Sequence, residues 1–238
     1  MTVRSGPVRT GLLVATAGAL AVTGAAGPAS AAAARANWQM DERAGTTVMV
    51  DRSGHGLDGQ IGARVQTHTV IDGRLGYLFP HTTNLANDPA DPEHLVVVPD
   101  SPTLNPGTGD YSVTVTTRFG PSANYRNLVQ KGQSTTTGGF FKLEVDHGGV
   151  TCVFRGSGGR ASVSTGLIND KTWHTVTCAR TAGAVTMTVD GVVGASRSVA
   201  TGNIVNGEPL AIGGKADCAN PDVECDYFAG YVDQVVIG

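Results

Sequence analysis

Two carboxylates of this sequence, Glu144 and Asp146, have the spacing that acid–base catalysis on a β-strand requires. Residues two apart in a strand share one face. A glycoside hydrolase sets two carboxyl groups around the scissile bond, about 5–5.5 Å apart for retention and farther apart for inversion. The alternative is a hairpin strand whose acids are simply solvated. We expect this alternative, so no catalytic residue is assigned and glycoside hydrolysis is the least favoured function.

Other catalytic and phosphate-binding signatures are missing from the sequence. It contains no Gly-x-Ser-x-Gly nucleophile elbow and no Ser-His-Asp arrangement, and its six histidines are scattered. No glycine loop leads into Lys-Ser or Lys-Thr, as phosphate binding would require. The net charge of −3 excludes the strongly basic surface of a general nucleic-acid-binding protein. The sequence therefore favours a non-catalytic protein whose ligand is not nucleic acid.

Sugar binding would use exposed aromatic rings beside hydrogen-bonding side chains, and aromatic residues make up only 5% of the chain. Tyr125 and Arg126 stand in a polar segment, and Tyr227 stands beside an acidic, cysteine-bounded loop. We take these three as the predicted ligand-binding residues. The alternative is that the two tyrosines pack locally.

Four cysteines in an exported chain favour two disulfides. Cys218 and Cys225 bracket a turn-prone loop, whereas Cys152 and Cys178 lie in two predicted strands. We therefore predict the pairs Cys152–Cys178 and Cys218–Cys225. A zinc site is the alternative, but the spacing lacks the paired C-x₂₋₄-C signature of zinc ribbons.

The first 31 residues have the features of a secretory signal peptide. Arg4 and Arg9 precede an apolar run without charge from Gly11 to Ala26, and Ala29-Ser30-Ala31 forms a cleavage signal. The run is shorter than the ~20 residues that a membrane span needs. We expect a signal peptide at 1–31, a disordered leader at 32–36 and one domain at 37–238. The mature protein is then secreted and extracellular, with no membrane span.

Alternating apolar and polar residues, bounded by Gly, Asp, Asn and Pro, predict an all-β protein. In Tyr111–Phe119 the odd-numbered residues fall on one face and the even-numbered residues on the other. In 184–193 an alternating strand is followed by Asp190-Gly191, a tight hairpin turn, and by a return strand. More than a dozen short strands of this kind favour a sandwich or a barrel. Binding is expected on the long loops between them, at 80–94, 99–110, 132–138 and 214–226.

Several motifs occur in an order that is typical of one family. They are, in order, Trp38-Gln-Met-Asp41-Glu42, Asp51-Arg-Ser53-Gly54-His-Gly56, Leu95-Val-Val-Val-Pro99, Leu128-Val-Gln-Lys131-Gly132, Trp173-His174-Thr-Val176, Val189-Asp190-Gly191 and Phe228-Ala-Gly230-Tyr-Val-Asp233. Together they resemble the laminin-G-like jelly-roll family, part of the concanavalin A-like lectin/glucanase superfamily. The resemblance covers nearly all of the chain from about Trp38 to Ile237. It implies an antiparallel two-sheet jelly-roll sandwich.

The resemblance also implies a structural calcium ion. Members of the family often hold one with ligands from an early Asp-x-Ser-Gly loop and from the last strand, and Asp51 and Asp233 match those positions. Calcium prefers carboxylate and carbonyl oxygens. The alternative is that Asp51 caps a turn and that Asp233 satisfies neighbouring donors.

Three functions follow from the resemblance and the residues together, because one fold hosts many functions. The first is a secreted binding module for a polysaccharide or a cell-surface glycoconjugate. The second is an extracellular module that binds a protein or builds the cell envelope. The third is a glycoside hydrolase, for which the strand carrying Glu144 and Asp146 resembles the family's glucanases only in part, since their third acid is replaced here by His147-Gly148-Gly149.

Overall fold

A computed structural model describes residues 1–2, 34–82, 91–121, 125–218 and 224–238. All but two residues of the expected signal peptide lie outside the described residues, and so do parts of the predicted loops 80–94 and 214–226. The fold below is that of the compact unit Ala32–Gly238. Among the described residues, no helix is long and apolar enough to cross a membrane.

The described residues form sixteen strands and two single-turn 3₁₀ helices. The strands are β1 Ala36–Trp38, β2 Val48–Met49, β3 Gly59–Ile61, β4 Gln66–Ile71, β5 Arg74–Phe79, β6 Val96–Val98, β7 Tyr111–Arg118, β8 Arg126–Lys131, β9 Phe140–Asp146, β10 Gly149–Gly156, β11 Gly159–Ser164, β12 His174–Arg180, β13 Ala184–Val189, β14 Val192–Ser198, β15 Leu210–Ile212 and β16 Gly230–Ile237. The 3₁₀ helices are Pro92–His94 and Pro102–Leu104.

Two antiparallel sheets of eight strands each stack into a sandwich, which confirms the predicted fold class. Sheet A has the order β14-β13-β12-β7-β16-β5-β4, and β1 adds to the free end of β16. Sheet B has the order β11-β10-β9-β8-β15-β6-β3-β2. Neighbours that are distant in sequence, such as β7 beside β16 and β8 beside β15, are what a jelly roll requires.

The core lies between the sheets and is built by the alternation that the sequence displays. Tyr111, Val113, Val115, Thr117 and Phe119 are all buried, as the odd-numbered face of this strand was predicted to be. Burial of such side chains contributes about 1.5–3 kcal/mol each for a Val, Leu, Ile or Phe. Because β7 lies in the middle of sheet A, this face anchors that sheet to the core.

Both predicted disulfides are present. Cys152–Cys178 joins β10 of sheet B to β12 of sheet A, with Cα atoms 6.1 Å apart. It therefore links the two layers across the core, rather than two strands of one sheet. Cys218–Cys225 closes a short loop, with Cα atoms 5.0 Å apart.

The ends of the predicted elements differ from the observed ones in a few places. Ala36, the last residue of the expected leader, is the first residue of β1 and is fully buried. Strand β3 was missed, because Gly-Gln-Ile is too short to display an alternation. The Asp190-Gly191 hairpin is confirmed, since both residues have the positive φ that a type I′ turn needs.

Candidate functional site

A polar cleft of about 460 Å³ opens beside the loop that joins β8 to β9. Its lining comes from 134–139 in that loop, from Arg155–Ser157 at the end of β10, and from Asn203. The volume falls within the range of small-molecule sites, about 300–1,000 Å³. Such sites are mostly apolar, whereas the larger part of this lining is polar and includes hydroxyl, amide, guanidinium and backbone groups. The cleft is therefore suited to a ligand that is itself rich in hydrogen-bonding groups.

Glycines let the walls of the cleft approach one another. Gly138 and Gly139 have φ of 90° and 92°, in the left-handed region that favours glycine. A Cβ atom on Gly138 would lie 1.9 Å from the carbonyl oxygen of Val205, and one on Gly139 would lie 2.2 Å from that of Arg155. Close backbone contact, rather than large side chains, thus fixes the shape of the cleft.

Hydrogen bonds hold the loop of the cleft in place. The guanidinium of Arg155 donates from Nη1 to the carbonyl oxygen of Ser134 at 2.5 Å. The backbone N–H of Gln133 donates to the hydroxyl of Thr136 at 3.0 Å, which closes a turn at the tip of the loop. The backbone N–H of Asn203 donates to the Ser157 hydroxyl at 3.0 Å. These bonds preorganise the polar groups that remain exposed, among them the hydroxyls of Thr135 and Thr137.

A smaller pocket borders the same loop. It measures about 20 Å³, and its lining includes Gln130, Thr136, Glu208, Lys215 and Asp217. Thr136 also lines the large cleft, so the two depressions adjoin. The volume corresponds to about one water-sized group, which needs 10–15 Å³.

The structure does not bring the predicted binding residues Tyr125 and Arg126 to this cleft. Arg126 begins β8 and the cleft loop follows its last residue, Lys131, so the strand separates them by about 17–20 Å. Tyr125 is 53% exposed, and its ring lies edge-on to His147 at 5.4 Å. These residues therefore occupy the opposite end of sheet B.

Tyr227 is not a stacking platform, which corrects the expectation from the sequence. It is only 5% exposed, and its ring centroid lies 4.8 Å from that of His94. Its hydroxyl accepts a hydrogen bond from the Asp91 amide at 2.8 Å. The alternative of local packing therefore holds for this residue.

The two candidate acids share a face of β9, as their spacing predicts, but Glu144 is buried rather than solvated. Glu144 is 9% exposed and pairs with the ammonium of Lys142 on the same strand. Asp146 pairs with Nδ1 of His147 at 2.6 Å. Lys142 thus neutralises Glu144, which corrects the expectation of a simply solvated acid at that position.

Asp51 caps the turn that follows it. Oδ1 accepts from the amides of Asn37 and Ser53 at 3.0 and 2.9 Å, and Oδ2 accepts from the Ser53 hydroxyl and the Leu57 amide at 2.7 and 3.1 Å. Burial acts to raise the pKa of Asp51, but these hydrogen bonds outweigh it and hold the pKa below the ordinary value. Because a carboxylate has about four lone-pair positions, a cation would have to displace donors of the chain.

Asp233 lies in β16 and pairs with Arg74 at 2.5 Å. Burial raises the pKa of Asp233, and the Arg74 guanidinium offsets this only in part. Asp51 bridges to Trp38 of β1, and β1 pairs with Val235–Ile237 of β16, so the pairing of β1 does not reach Asp233. Calcium prefers carboxylate oxygens, but an ion shared by Asp51 and Asp233 would have to displace Arg74 from Asp233 as well as the donors that bind Asp51. Among the described residues there is no group of three or more His, Cys, Asp or Glu that could hold a metal ion.

The sequence predicted the loop at 132–138 that forms part of the cleft, but it did not predict the residues that line the cleft from other segments. Arg155, Ser157 and Asn203 come from distant segments, so only the folded chain brings them together. The signal within the loop is its composition, since Ser134 and three threonines precede two glycines.

Comparisons with known proteins agree with the fold. A family model described as the concanavalin A-like lectin/glucanases superfamily matches residues 93–237. No curated protein matches the chain.

Solved structures of clostridial-type toxin binding domains are similar to this chain. The binding domain of botulinum neurotoxin DC in complex with SialylT has a TM-score of 0.63 at 10% identity, over 86% of this chain and 47% of that one. A botulinum neurotoxin type C structure with two ganglioside molecules has a TM-score of 0.61 at 11% identity, over 85% and 46%. The binding domain of Paraclostridial Mosquitocidal Protein 1 has a TM-score of 0.57 at 14% identity, over 84% and 49%. The chain spans about half the length of these proteins, and at such identities the likeness concerns the fold alone.

Proposed function

Because the chain belongs to the concanavalin A-like lectin/glucanases superfamily, we propose that it is a non-catalytic binding module for a polysaccharide or a glycoconjugate. The ligand occupies the polar cleft beside the β8–β9 loop. The observation that carries this proposal is the lining of the 460 Å³ cleft, which offers hydroxyl, amide and guanidinium groups and no aromatic ring.

The chemistry of the cleft supports a sugar ligand. A sugar presents many hydroxyl groups, each of which is both a donor and an acceptor of hydrogen bonds. Thr135 and Thr137 can donate or accept, whereas Arg155 can only donate. Each neutral hydrogen bond is worth about 0.5–1.5 kcal/mol, so several together give a specific complex of modest affinity.

The structural neighbours provide weaker support, because the likeness concerns the fold alone. One neighbour is a toxin whose cell entry depends on two ganglioside molecules, and another was solved in complex with rat synaptotagmin II, a protein. Those toxins thus interact with both glycan and protein ligands, and this chain matches about half of each of them. The cleft of this chain favours the glycan, because its lining lacks the apolar centre that protein interfaces usually have.

The proposal includes export of the chain. The signal-like residues 1–31 support it, and so do two disulfides, which persist in oxidising compartments. A glycan outside the cell is then within reach of the protein.

The test is co-sedimentation of residues 32–238 with a panel of insoluble polysaccharides and bacterial cell walls, followed by titration with soluble fragments of any glycan that is bound. We expect saturable binding to one class of glycan. Arg155→Ala and Asn203→Ala should each weaken it, and the two together by at least about tenfold. Arg197→Ala, which removes an exposed arginine from β14 of the other sheet, is the matched control and should bind normally.

Two results would overturn the proposal. Binding that survives both cleft substitutions would place the ligand elsewhere on the molecule. If no glycan were bound at all, a protein ligand would become the better hypothesis.

A further inference from the structure

A buried acceptor without a partner lies next to the proposed glycan site. Gln130 is 5% exposed and lines the small pocket that borders the cleft loop. Its Nε2 donates to the carbonyl oxygen of Gly132 at 2.7 Å, which fixes the orientation of the amide. Its Oε1 is buried and has no hydrogen-bond partner among the described residues. An unsatisfied buried acceptor costs about 1–3 kcal/mol, so a ligand that donates to it gains affinity.

The charges around this pocket favour a cation. The ammonium of Lys215 is neutralised by Asp226 at 2.6 Å, and it also donates to the carbonyl oxygen of Glu224 at 2.8 Å. Within the described part of the chain, the carboxylates of Glu208 and Asp217, which also belong to the lining, form no ion pair. Among the described residues, these two negative charges have no ion-pair partner, and they lie beside an acceptor that needs a donor.

Two lysines that are neighbours of Gln130, one in sequence and one in the sheet, do not offset the negative charge of the pocket. Lys131, the neighbour of Gln130, is fully buried and pairs with Asp100 at 2.6 Å. Lys142, which is opposite Gln130 in the sheet, pairs with Glu144. Each of these lysines is neutralised by a carboxylate of its own.

We infer that the small pocket takes a protonated amino group, so that the glycan of the proposed function carries a free amine, as a glucosamine or galactosamine unit does. This inference rests on the proposed function, because the pocket adjoins the cleft through Thr136. An ammonium group is about the size of a water molecule and fits the 20 Å³ of the pocket. It donates to the Gln130 oxygen and faces Glu208 and Asp217, whereas an N-acetylated amine is bulkier and uncharged.

The test compares matched pairs of oligosaccharides, fully deacetylated or fully N-acetylated, built from glucosamine and from galactosamine. Their affinities for residues 32–238 are measured by calorimetry at about pH 6, where amines of this kind are protonated. We expect the deacetylated member of one pair to bind about tenfold more tightly. Added salt should reduce the difference, because it depends on charge.

Two variants connect the preference to the pocket. Gln130→Leu removes the acceptor at similar volume, and Asp217→Asn removes a charge from an exposed position. The melting temperature of each variant must equal that of the wild type for its binding result to count. Each should reduce the preference for the amine at least about threefold. Asp110→Asn, at an exposed carboxylate of the 99–110 loop, is the matched control and should keep the full preference.

The outcomes separate this inference from the proposed function. Equal affinities within both pairs, with binding that still depends on Arg155 and Asn203, would overturn the inference alone and leave the pocket as the site of a water molecule only. A preference for the amine that survives both pocket variants would also overturn it. Failure to bind any oligosaccharide or polysaccharide would overturn the proposed function together with the inference.

Discussion

Nδ1 of His174 lies 2.8 Å from Oδ2 of Asp190, so the first residue of β12 is tied to the turn between β13 and β14. Nε2 of the same imidazole lies 3.2 Å from Asp170. The other carboxylate oxygen of Asp190 accepts from the Thr175 amide at 2.8 Å. One histidine thus joins the segment of Asp170 to the β13–β14 turn at one end of the strands of sheet A. The arrangement is strongest when the imidazole carries its charge.

Stability should therefore depend on pH through His174. Burial acts to lower its pKa, but the bonds to Asp190 and Asp170 outweigh burial and raise it above the ordinary 6.5. Because the folded-state pKa is raised, the contribution is fully present below about pH 6.5 and is lost as pH rises through the folded value. We expect His174→Gln to cost about 0.5 kcal/mol at pH 5.5, and less at pH 8.5, since both carboxylates are exposed.

Urea unfolding of both proteins at the two pH values measures this difference. His81→Gln, at an exposed histidine, is the control for the loss of a surface imidazole. A cost for His174→Gln that grew with pH would contradict the assignment of a charged imidazole.

The two disulfides should differ in their effect on stability. Cys152–Cys178 closes a separation of 26 residues, and Cys218–Cys225 closes one of 7. The loop-closure relation gives about 3.5 kcal/mol for the first and about 2.4 kcal/mol for the second. We expect the double alanine variant of the first pair to lose more stability, because that bond also links the two sheets.

Equilibrium denaturation of the two double variants tests this order. Thiol titration of the unreduced, denatured wild type should find no free thiol, since all four cysteines are paired. A larger loss from removal of Cys218–Cys225 would indicate that the short loop supports more of the fold than its length suggests.

Most of the fold could be predicted from the sequence, because an alternating strand reports which of its faces is buried. The strand from Tyr111, the Asp190-Gly191 hairpin and both cysteine pairs were all predicted correctly. The sequence did not predict elements without an alternating pattern of their own, such as β3, which has only three residues. Whether a disulfide lies within a sheet or between sheets also depends on long-range pairing that local patterns do not encode.

The candidate site could be predicted only in part, because its groups come from different strands and loops. Composition marks the loop of the cleft, but no short-range pattern connects it to Arg155 or Asn203. Tyr227 was misjudged because the acidic sequence around it resembles a surface loop, whereas its ring is buried beside His94. Exposure of a single side chain depends on what the rest of the chain places over it.

The cleft should be sensitive to substitution of its glycines. Gly139→Ala adds a Cβ atom 2.2 Å from the Arg155 carbonyl oxygen at a positive φ, so we expect a loss of at least about 2 kcal/mol in stability. Gly183→Ala is the matched control, since a Cβ atom there meets nothing within 4 Å and its φ is not positive. Thermal melting of the two variants measures the difference. Equal melting temperatures would mean that the backbone around Gly139 can shift to accept a Cβ atom, so that the cleft is less preorganised than its contacts indicate.

Asp51 offers a test of whether calcium supports the fold. Its four hydrogen bonds from Asn37, Ser53 and Leu57 make it a turn cap, so Asp51→Asn should cost about 2 kcal/mol. Because these donors belong to the chain, the loss should be the same with calcium and with a chelator. The measurement is the melting temperature of the wild type and of the variant under both conditions, with Asp41→Asn, an exposed member of a surface ion pair, as the control. A wild-type melting temperature that rises with calcium, and a rise that disappears in Asp51→Asn, would instead support the calcium site that the family resemblance implies.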